Sequence, residues 1–401
     1  MYNLQLSEEQ VAIRGMVRDF VASEITPVAL QPERLEPFDP PLLVDLIEAA
    51  SALGLRTLAL DEADGGASAD TLTRCLVSEE LAAGDADVAS ILAETARLGA
   101  ALFGGLMDKG QRARFLPDFV EDASYHLALV SLGAEADTGL GPDYHRIRDP
   151  ESSATTATVD GGELVLRGRK PRIANAPLAR LFVVTASSET GPVTLLVPAE
   201  TSGLSVAETP RDGGWYHGTM GDVELDDCRV PVENILAGSN RETPDKIGVG
   251  LNGTPEGQAI NLGIARAAFE TALDYAKLRV QGGRPIIEHQ AIGAKLADIA
   301  ASLEMVRGAV WRSAWDCDNP QARADGSLSD MPHALISQVA AADMLHRAAR
   351  DAAECFGAMG VMRDMPMQKY IHDTRMYRHA GCGVDDARLR IAEALAGFEQ
   401  G

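Results

Sequence analysis

Glu256 is a carboxylate at the predicted start of a long helix. Glu256 directly follows Thr254 and Pro255, and apolar residues with helical spacing run from Gln258 to Val280. Proline suits the first turn of a helix, so Glu256 is predicted to lie in that turn. A carboxylate there can accept a proton from a substrate within hydrogen-bond reach. It can equally serve only to complement the positive end of the helix.

Two other reactive side chains lie near the C-terminus. His379 can act as a base near neutral pH, and it can also be a packing or hydrogen-bonding residue. Cys382 becomes a reactive thiol only beside a positive group, and Arg378 is the obvious candidate; packing is the alternative. The five cysteines are widely spaced and contain no CxxC pair. Neither a disulfide framework nor a zinc site is predicted.

The charge balance restricts the class of partner. A formal net charge of −23 argues against nucleic acid, because phosphate binding requires clustered Lys and Arg. No apolar stretch approaches the roughly 20 residues of a membrane span. The first ten residues lack the basic region and apolar run of a secretory signal. We therefore expect a soluble, cytoplasmic protein without a membrane span.

The periodicity of the apolar residues divides the chain into three blocks. Residues 1–122 show helical spacing, with Ser7 placed to cap the first helix. Residues 123–236 contain short alternating runs, and the sequence Asp160–Gly162 predicts a hairpin turn. Residues 237–401 contain long Ala-rich segments near 258–280, 288–317, 333–356 and 365–398, which favour a four-helix bundle. In the first of these, Arg266 and Glu270 are predicted on the polar side.

Eight short motifs follow one another in a fixed order along the chain. In this order and spacing they resemble the acyl-CoA dehydrogenase family over essentially the whole chain. The resemblance implies an α+β fold with an N-terminal helical domain, a middle β-barrel-like domain and a C-terminal four-helix bundle. The motifs are Leu6–Gln10, Glu24–Pro27, Leu53–Leu55 with Gly65–Gly66, Ser78–Ala82, Val223–Leu236, Tyr275–Ile292, Phe356–Gly360 and Asp373–Tyr377.

The same resemblance implies an activity in lipid metabolism. Members of the family bind FAD between the β domain and the bundle, with part of the site supplied by a neighbouring subunit. They are usually homotetramers or dimers. A Glu removes the α-proton of an acyl-CoA thioester, the β-hydride passes to the flavin, and an electron-transferring flavoprotein accepts the electrons.

The family's usual catalytic base is missing from this sequence. Its position falls on Ala380, or on Gly381 without an alignment gap, and neither is a carboxylate. A second position used by some members, beside an Arg, falls on Gly253 and Thr254. Glu256 lies three residues further on and is the candidate base. Thr254, Ala380 and Gly381 are the expected substrate-binding positions, the last two through backbone N–H groups.

The expected FAD contacts are altered as well. Arg172 occupies the position of the family's flavin-facing Trp, and Ala174 that of a Thr. Glu354 replaces a Gln and places a negative charge where a diphosphate is expected, which is electrostatically unfavourable. The cofactor-binding positions implied by the resemblance are Ser131, Ile173, Ala174, Asn175, Arg279, Glu354, Gly357 and Cys382.

Three functional hypotheses follow from these substitutions. The chain can be an acyl-CoA dehydrogenase that uses Glu256 or another base. It can be one subunit of a hetero-oligomer whose related partner supplies the base. It can also catalyse flavin chemistry that needs no such base, as in desulfinase-like or monooxygenase-like relatives of this fold. The acyl chain of the substrate is not determined by the sequence.

Overall fold

The computed structural model describes residues 5–35, 41–131, 155–210, 216–236, 250–379 and 383–397. Within these ranges, helices occupy both ends of the chain and a β-sheet occupies the middle. No helix in them is long and apolar enough to cross a membrane. They also contain no cluster of side chains suited to hold a metal ion.

The N-terminal region is helical, as its apolar spacing predicts. Helix α1 begins with a capping box in which the Ser7 side chain accepts from the Gln10 backbone N–H and the Gln10 side chain accepts from that of Ser7. This arrangement satisfies two N–H groups that would otherwise be unpaired at the helix start. The α-helices of this region are α1 (Glu8–Phe20), α2 (Thr26–Ala29), α3 (Pro32–Leu35), α4 (Val44–Ala52), α5 (Thr71–Gly84), α6 (Ala86–Ala101) and α7 (Lys109–Glu121).

The middle region is a seven-stranded sheet in the order β1-β4-β2-β3-β7-β6, with β5 paired to β4. The predicted hairpin is confirmed, because Asp160 pairs with Glu163 across a two-residue turn. β6 is a short strand that the alternating pattern did not reveal. The strands are β1 (His126–Val130), β2 (Thr155–Asp160), β3 (Glu163–Ala174), β4 (Ala179–Ser188), β5 (Gly191–Pro198), β6 (Leu204–Glu208) and β7 (Met220–Pro231).

The C-terminal region is a bundle of long helices. The segment predicted as one helix over 365–398 consists of two helices, the first ending at Met376 and the second starting at Gly383. A two-stranded hairpin, β8 (Val280–Gln281) with β9 (Arg284–Pro285), precedes the second long helix. The helices are α8 (Pro255–Leu278), α9 (Gln290–Asp318), α10 (Gln321–Ala324), α11 (His333–Glu354), α12 (Met367–Met376) and α13 (Gly383–Ala396).

One hydrophobic core joins the N-terminal helices to the bundle. Helix α8 packs on α5 at short range, since a Cβ added at Gly263 would lie 2.1 Å from the carbonyl oxygen of Glu79. Arg266 was predicted on a polar surface, and this prediction is wrong. Arg266 is buried, and its guanidinium pairs with Glu79, Glu80 and Glu270. The first half of α8 therefore lies inside the molecule.

Candidate active site

Glu256 lies in the first turn of α8, as predicted. Thr254 is the N-cap, and its hydroxyl accepts from the Gly257 backbone N–H at 3.3 Å. The Glu256 side chain is buried, and its Oε1 accepts from Nε of Arg74 on α5 at 2.9 Å. Burial opposes the charge of Arg74, but the charge of Glu256 and its hydrogen bond raise the pKa of Arg74 above the ordinary value. Arg74 therefore stays a cation beside Glu256.

The Glu256–Arg74 pair borders a small cavity of about 10 Å³ between α5, α6 and α8. Apart from the pair itself and Ser78, its walls are apolar. A charge in such a setting interacts more strongly with a bound molecule than it would in water. The other lining residues are Leu55, Leu58, Val77, Leu81, Leu92, Ala93 and Ala96.

A second buried ion pair lies on α6 near this cavity. Arg97 donates to both oxygens of Glu94, from Nε at 3.0 Å and from Nη2 at 2.9 Å. Burial alone would lower the pKa of Arg97. The charges of Glu94 and Glu256 outweigh this effect, so the pKa of Arg97 lies above its ordinary value. Together the two pairs bring two guanidinium groups and two carboxylates, Glu256 included, to this part of the molecule.

The segment 216–219 of the middle region contacts α6 and the end of α12. The His217 ring stacks on Tyr377 with centroids 5.6 Å apart, and its Nε2 is 3.1 Å from the carbonyl oxygen of Asp373. The Gly218 N–H donates to Asp87 at 2.8 Å. Since Tyr377 directly follows α12, this segment connects the sheet region to both helical regions.

Tyr377 also lies against α6, because Ser90 hydrogen-bonds its side chain. Below it, Lys369 Nζ donates to Asp373 Oδ2 at 2.6 Å. Burial opposes the charge of Lys369, but Asp373 and Asp85 outweigh it and raise the pKa of Lys369. Burial similarly opposes the charge of Asp373, yet the neighbouring cations hold the pKa of Asp373 well below its usual range. The end of α12 is therefore anchored by buried charges.

The end of β3 contacts α6. Asn175 has a left-handed backbone with φ of 61°, and its side-chain amide donates to Ile91 O at 3.1 Å and to Thr95 Oγ1 at 3.2 Å. Its backbone N–H donates to Thr219 O at 2.9 Å. In this structure the amide of Asn175 therefore holds the strand end to α6. Ile173 is buried and Ala174 half-buried beside it.

The remaining expected cofactor positions are exposed or half-buried. Ser131 is half-buried immediately after β1, and Gly357 and Arg279 are exposed. Glu354 forms an ion pair with Lys295. That pairing lowers the pKa of Glu354 and places a cation beside the negative charge expected from the sequence. Ala380, Gly381 and Cys382 lie outside the described residues, and His379 is exposed.

Comparison with known proteins agrees with this architecture. Residues 7–122, 147–228 and 257–396 match the N-terminal, middle and C-terminal domains of acyl-CoA dehydrogenase. An acyl-CoA dehydrogenase of Bacillus subtilis (strain 168) is 30% identical over 98% of this chain and 100% of its own length. The chain belongs to the acyl-CoA dehydrogenase family. Members of this family are FAD-dependent oxidoreductases.

Two solved structures share the fold of this chain. Butyryl-CoA dehydrogenase from Megasphaera elsdenii superimposes with a TM-score of 0.79 at 24% identity, covering 98% of this chain and 100% of its own. A chain of the ChsE4–ChsE5 complex from Mycobacterium tuberculosis gives 0.76 at 20% identity, covering 98% of this chain and 99% of its own. The acyl-CoA dehydrogenase fold is thus present over nearly the whole chain.

The donor set at the expected cofactor positions fits the family's FAD. Arg279 is an exposed cation that suits a diphosphate, and Lys295 compensates the charge of Glu354 on the bundle. Gly357, with φ of 57°, has open space where a Cβ would stand, so a ligand can approach its backbone closely. The small side chain of Ala174 leaves room at the end of β3.

Sequence reasoning missed the residues that hold Glu256 and α12. Arg74 and Lys369 are cations in helices whose buried positions are largely uncharged. A cation in such a helix is the sequence feature that could have identified them as partners of buried acids. His217 carries no such signal, because it lies in a loop. Its partners are 130 and 160 residues away in sequence, on helices that only the folded chain brings together.

Proposed function

We propose that this chain catalyses the α,β-desaturation of an acyl-CoA thioester with Glu256 as the proton acceptor. The observation that carries the proposal is the position of the Glu256 carboxylate at the apolar cavity between α5, α6 and α8. Within the described residues, the Glu256 side chain accepts its hydrogen bond from Arg74 at Oε1. Oε2 is then the atom that can receive a proton.

The chemistry requires such a group because the α-proton of a thioester is weakly acidic. Glu256 Oε2 takes the proton from the α-carbon, and the electron pair of that C–H bond becomes the new carbon–carbon double bond. FAD, when bound, accepts the hydride that leaves the β-carbon. Arg74 orients the carboxylate, and the apolar walls exclude water. Electrons then leave to an electron-transferring flavoprotein.

The cofactor positions divide between two places in this proposal. Arg172, Ile173, Ala174 and Ser131 would meet the flavin from the sheet side. Arg279, Glu354 with its partner Lys295, and Gly357 lie on the bundle and would meet the dinucleotide of a neighbouring subunit. Thr254 would lie beside the substrate at the start of α8.

The variant Glu256→Gln tests the proposal. Glutamine keeps the shape of the side chain but cannot take the proton, so we expect anaerobic flavin reduction by an acyl-CoA to slow by roughly 10²–10⁴-fold. The measurement is stopped-flow bleaching of the flavin band, with acyl-CoA binding followed separately by calorimetry. Glu80→Gln is the matched control, because Glu80 is also buried and paired with arginine but lies outside the cavity lining. Reduction of the Glu256→Gln protein at the wild-type rate would contradict the proposal.

A second candidate is a hetero-oligomer in which a related subunit supplies the base. It is supported by the lack of a carboxylate at 380 and 381 and by the shared fold with a chain of the ChsE4–ChsE5 complex. In this case the chain purified alone should hold little flavin and remain unbleached by acyl-CoA. Coexpression with a related base-bearing chain should restore both, and Glu256→Gln should then have no effect. Turnover with oxygen and no desaturated product would instead favour monooxygenase-like chemistry.

A further inference from the structure

The guanidinium that holds Glu256 is itself held by a hydroxyl. Arg74 Nη2 donates to Thr71 Oγ1 at 2.9 Å, and Arg74 Nη1 donates to the carbonyl oxygen of Ala69 at 3.4 Å. Arg74 is therefore bound at three of its nitrogens, with Nε turned towards Glu256. Its geometry depends on groups at the start of α5.

Thr71 is in turn bound to the end of α9. Its hydroxyl lies 2.6 Å from Asp318 Oδ1, and its backbone N–H donates to Asp318 Oδ2 at 2.9 Å. Because arginine can only donate, Thr71 Oγ1 must accept from Arg74 and give its own hydrogen to Asp318. The donor and acceptor of each hydrogen bond are thus determined along the path that runs from Asp318 through Thr71 and Arg74 to Glu256.

The charges along this path alternate. Asp318 and Glu256 are carboxylates at its two ends, and Arg74 is the cation between them. Burial raises the pKa of Asp318, and Thr71 and Arg74 offset part of that increase. The path joins α9, α5 and α8, so three helices determine where one carboxylate points.

We propose that Asp318 and Thr71 are positioning residues that act through Arg74 to orient Glu256 Oε2 towards the substrate. The inference rests on the proposed role of Glu256. Losing the Thr71 hydroxyl would free one side of the guanidinium, which could then rotate and take the Glu256 carboxylate with it. Misplacement of a reacting group by about 1 Å can cost on the order of 10²-fold in rate.

The experiment compares Thr71→Val with Thr71→Ser in the full-length protein. Valine keeps the shape of threonine without the hydroxyl, and serine keeps the hydroxyl. We expect Thr71→Val to slow anaerobic flavin reduction by butyryl-CoA about 10- to 100-fold, with KM changed less than about 3-fold. Thr71→Ser should restore the rate to within about 3-fold of wild type.

The split between rate and binding separates positioning from a general loss of structure. A displaced Glu256 should lower the limiting rate of flavin reduction in Thr71→Val, while butyryl-CoA binding, followed by calorimetry, stays within about 3-fold of wild type. A merely structural role would lower the unfolding temperature without this selective loss of rate.

The outcomes are distinct. If Glu256→Gln abolishes reduction and Thr71→Val reduces at the wild-type rate, the positioning role is overturned and the proposed function stands. If Glu256→Gln reduces at the wild-type rate, the proposed function fails first, and the positioning role fails with it. Should Thr71→Val not fold, Asp318→Asn gives the same test, because its amide oxygen can accept only at one of the two positions. An unchanged rate in Asp318→Asn would also overturn the inference.

Discussion

At the scale of single residues, burial determines which side chains titrate. His126, at the start of β1, is buried, and its Nδ1 lies 3.1 Å from Thr95 Oγ1. Burial, aided by the charge of Arg56, lowers the pKa of His126 from 6.5 to about 4. The folded protein therefore holds this imidazole neutral at a pH where the unfolded chain protonates it.

This difference predicts a loss of stability in acid. Because the folded pKa lies below the unfolded one, the contribution of His126 is fully present above about pH 6.5 and declines as the pH falls towards about 4. Over that range it amounts to about 3 kcal/mol of unfolding free energy. Urea unfolding of wild type and His126→Gln at several pH values measures it. The two proteins should differ in slope between pH 6.5 and 4; parallel curves would show that His126 titrates alike in both states.

At the scale of elements, close packing of α5 on α8 sets the geometry around Glu256. Gly263 allows the two helices to approach, because a Cβ there would collide with the Glu79 carbonyl oxygen. Gly263→Ala should therefore destabilise the protein by about 1–3 kcal/mol, although alanine normally favours a helix. Thermal unfolding measures this effect. The matched control is Gly308→Ala on α9, where a Cβ meets no atom within 4 Å, and equal unfolding temperatures for the two variants would contradict the packing argument.

The sequence predicted most elements but not the faces that they bury. Apolar spacing predicted helices within residues 1–122 and located α8, and the glycine pair at 161–162 located the hairpin. The spacing of Arg266 and Glu270 suggested an exposed stripe, whereas Arg266 is buried against acids of α5. Local periodicity cannot reveal such a pair, because its partners are 186 residues apart.

The candidate site was predictable only in part, for the same reason. Glu256 could be placed in the first turn of α8 from Pro255 and the helical spacing that follows. Its partner Arg74 could not be placed, since nothing local relates α5 to α8. The cavity and the path through Thr71 to Asp318 depend on three helices meeting. Such features appear only once the tertiary arrangement is known.

At the scale of the whole molecule, His217 joins the sheet region to both helical regions. Its ring stacks on Tyr377 and its Nε2 meets the Asp373 carbonyl, while the next residue binds Asp87. His217→Phe keeps a ring but loses the polar contact, so we expect a loss of about 1 kcal/mol. His217→Ala should lose a further 0.5–1.5 kcal/mol, roughly, from the stacking. Chemical denaturation compares the two variants, and equal stabilities for them would show that the stacking contributes nothing.

The contacts of segment 216–219 also limit how freely the three regions can be exchanged between relatives. A chimera that takes its middle region from another member would bring a foreign segment against Asp87 and Tyr377. The middle region can therefore be transplanted intact only together with these two distant positions. For protein engineering, the exchangeable unit is that region plus a short stretch of α6 and the end of α12, and it is discontinuous along the chain.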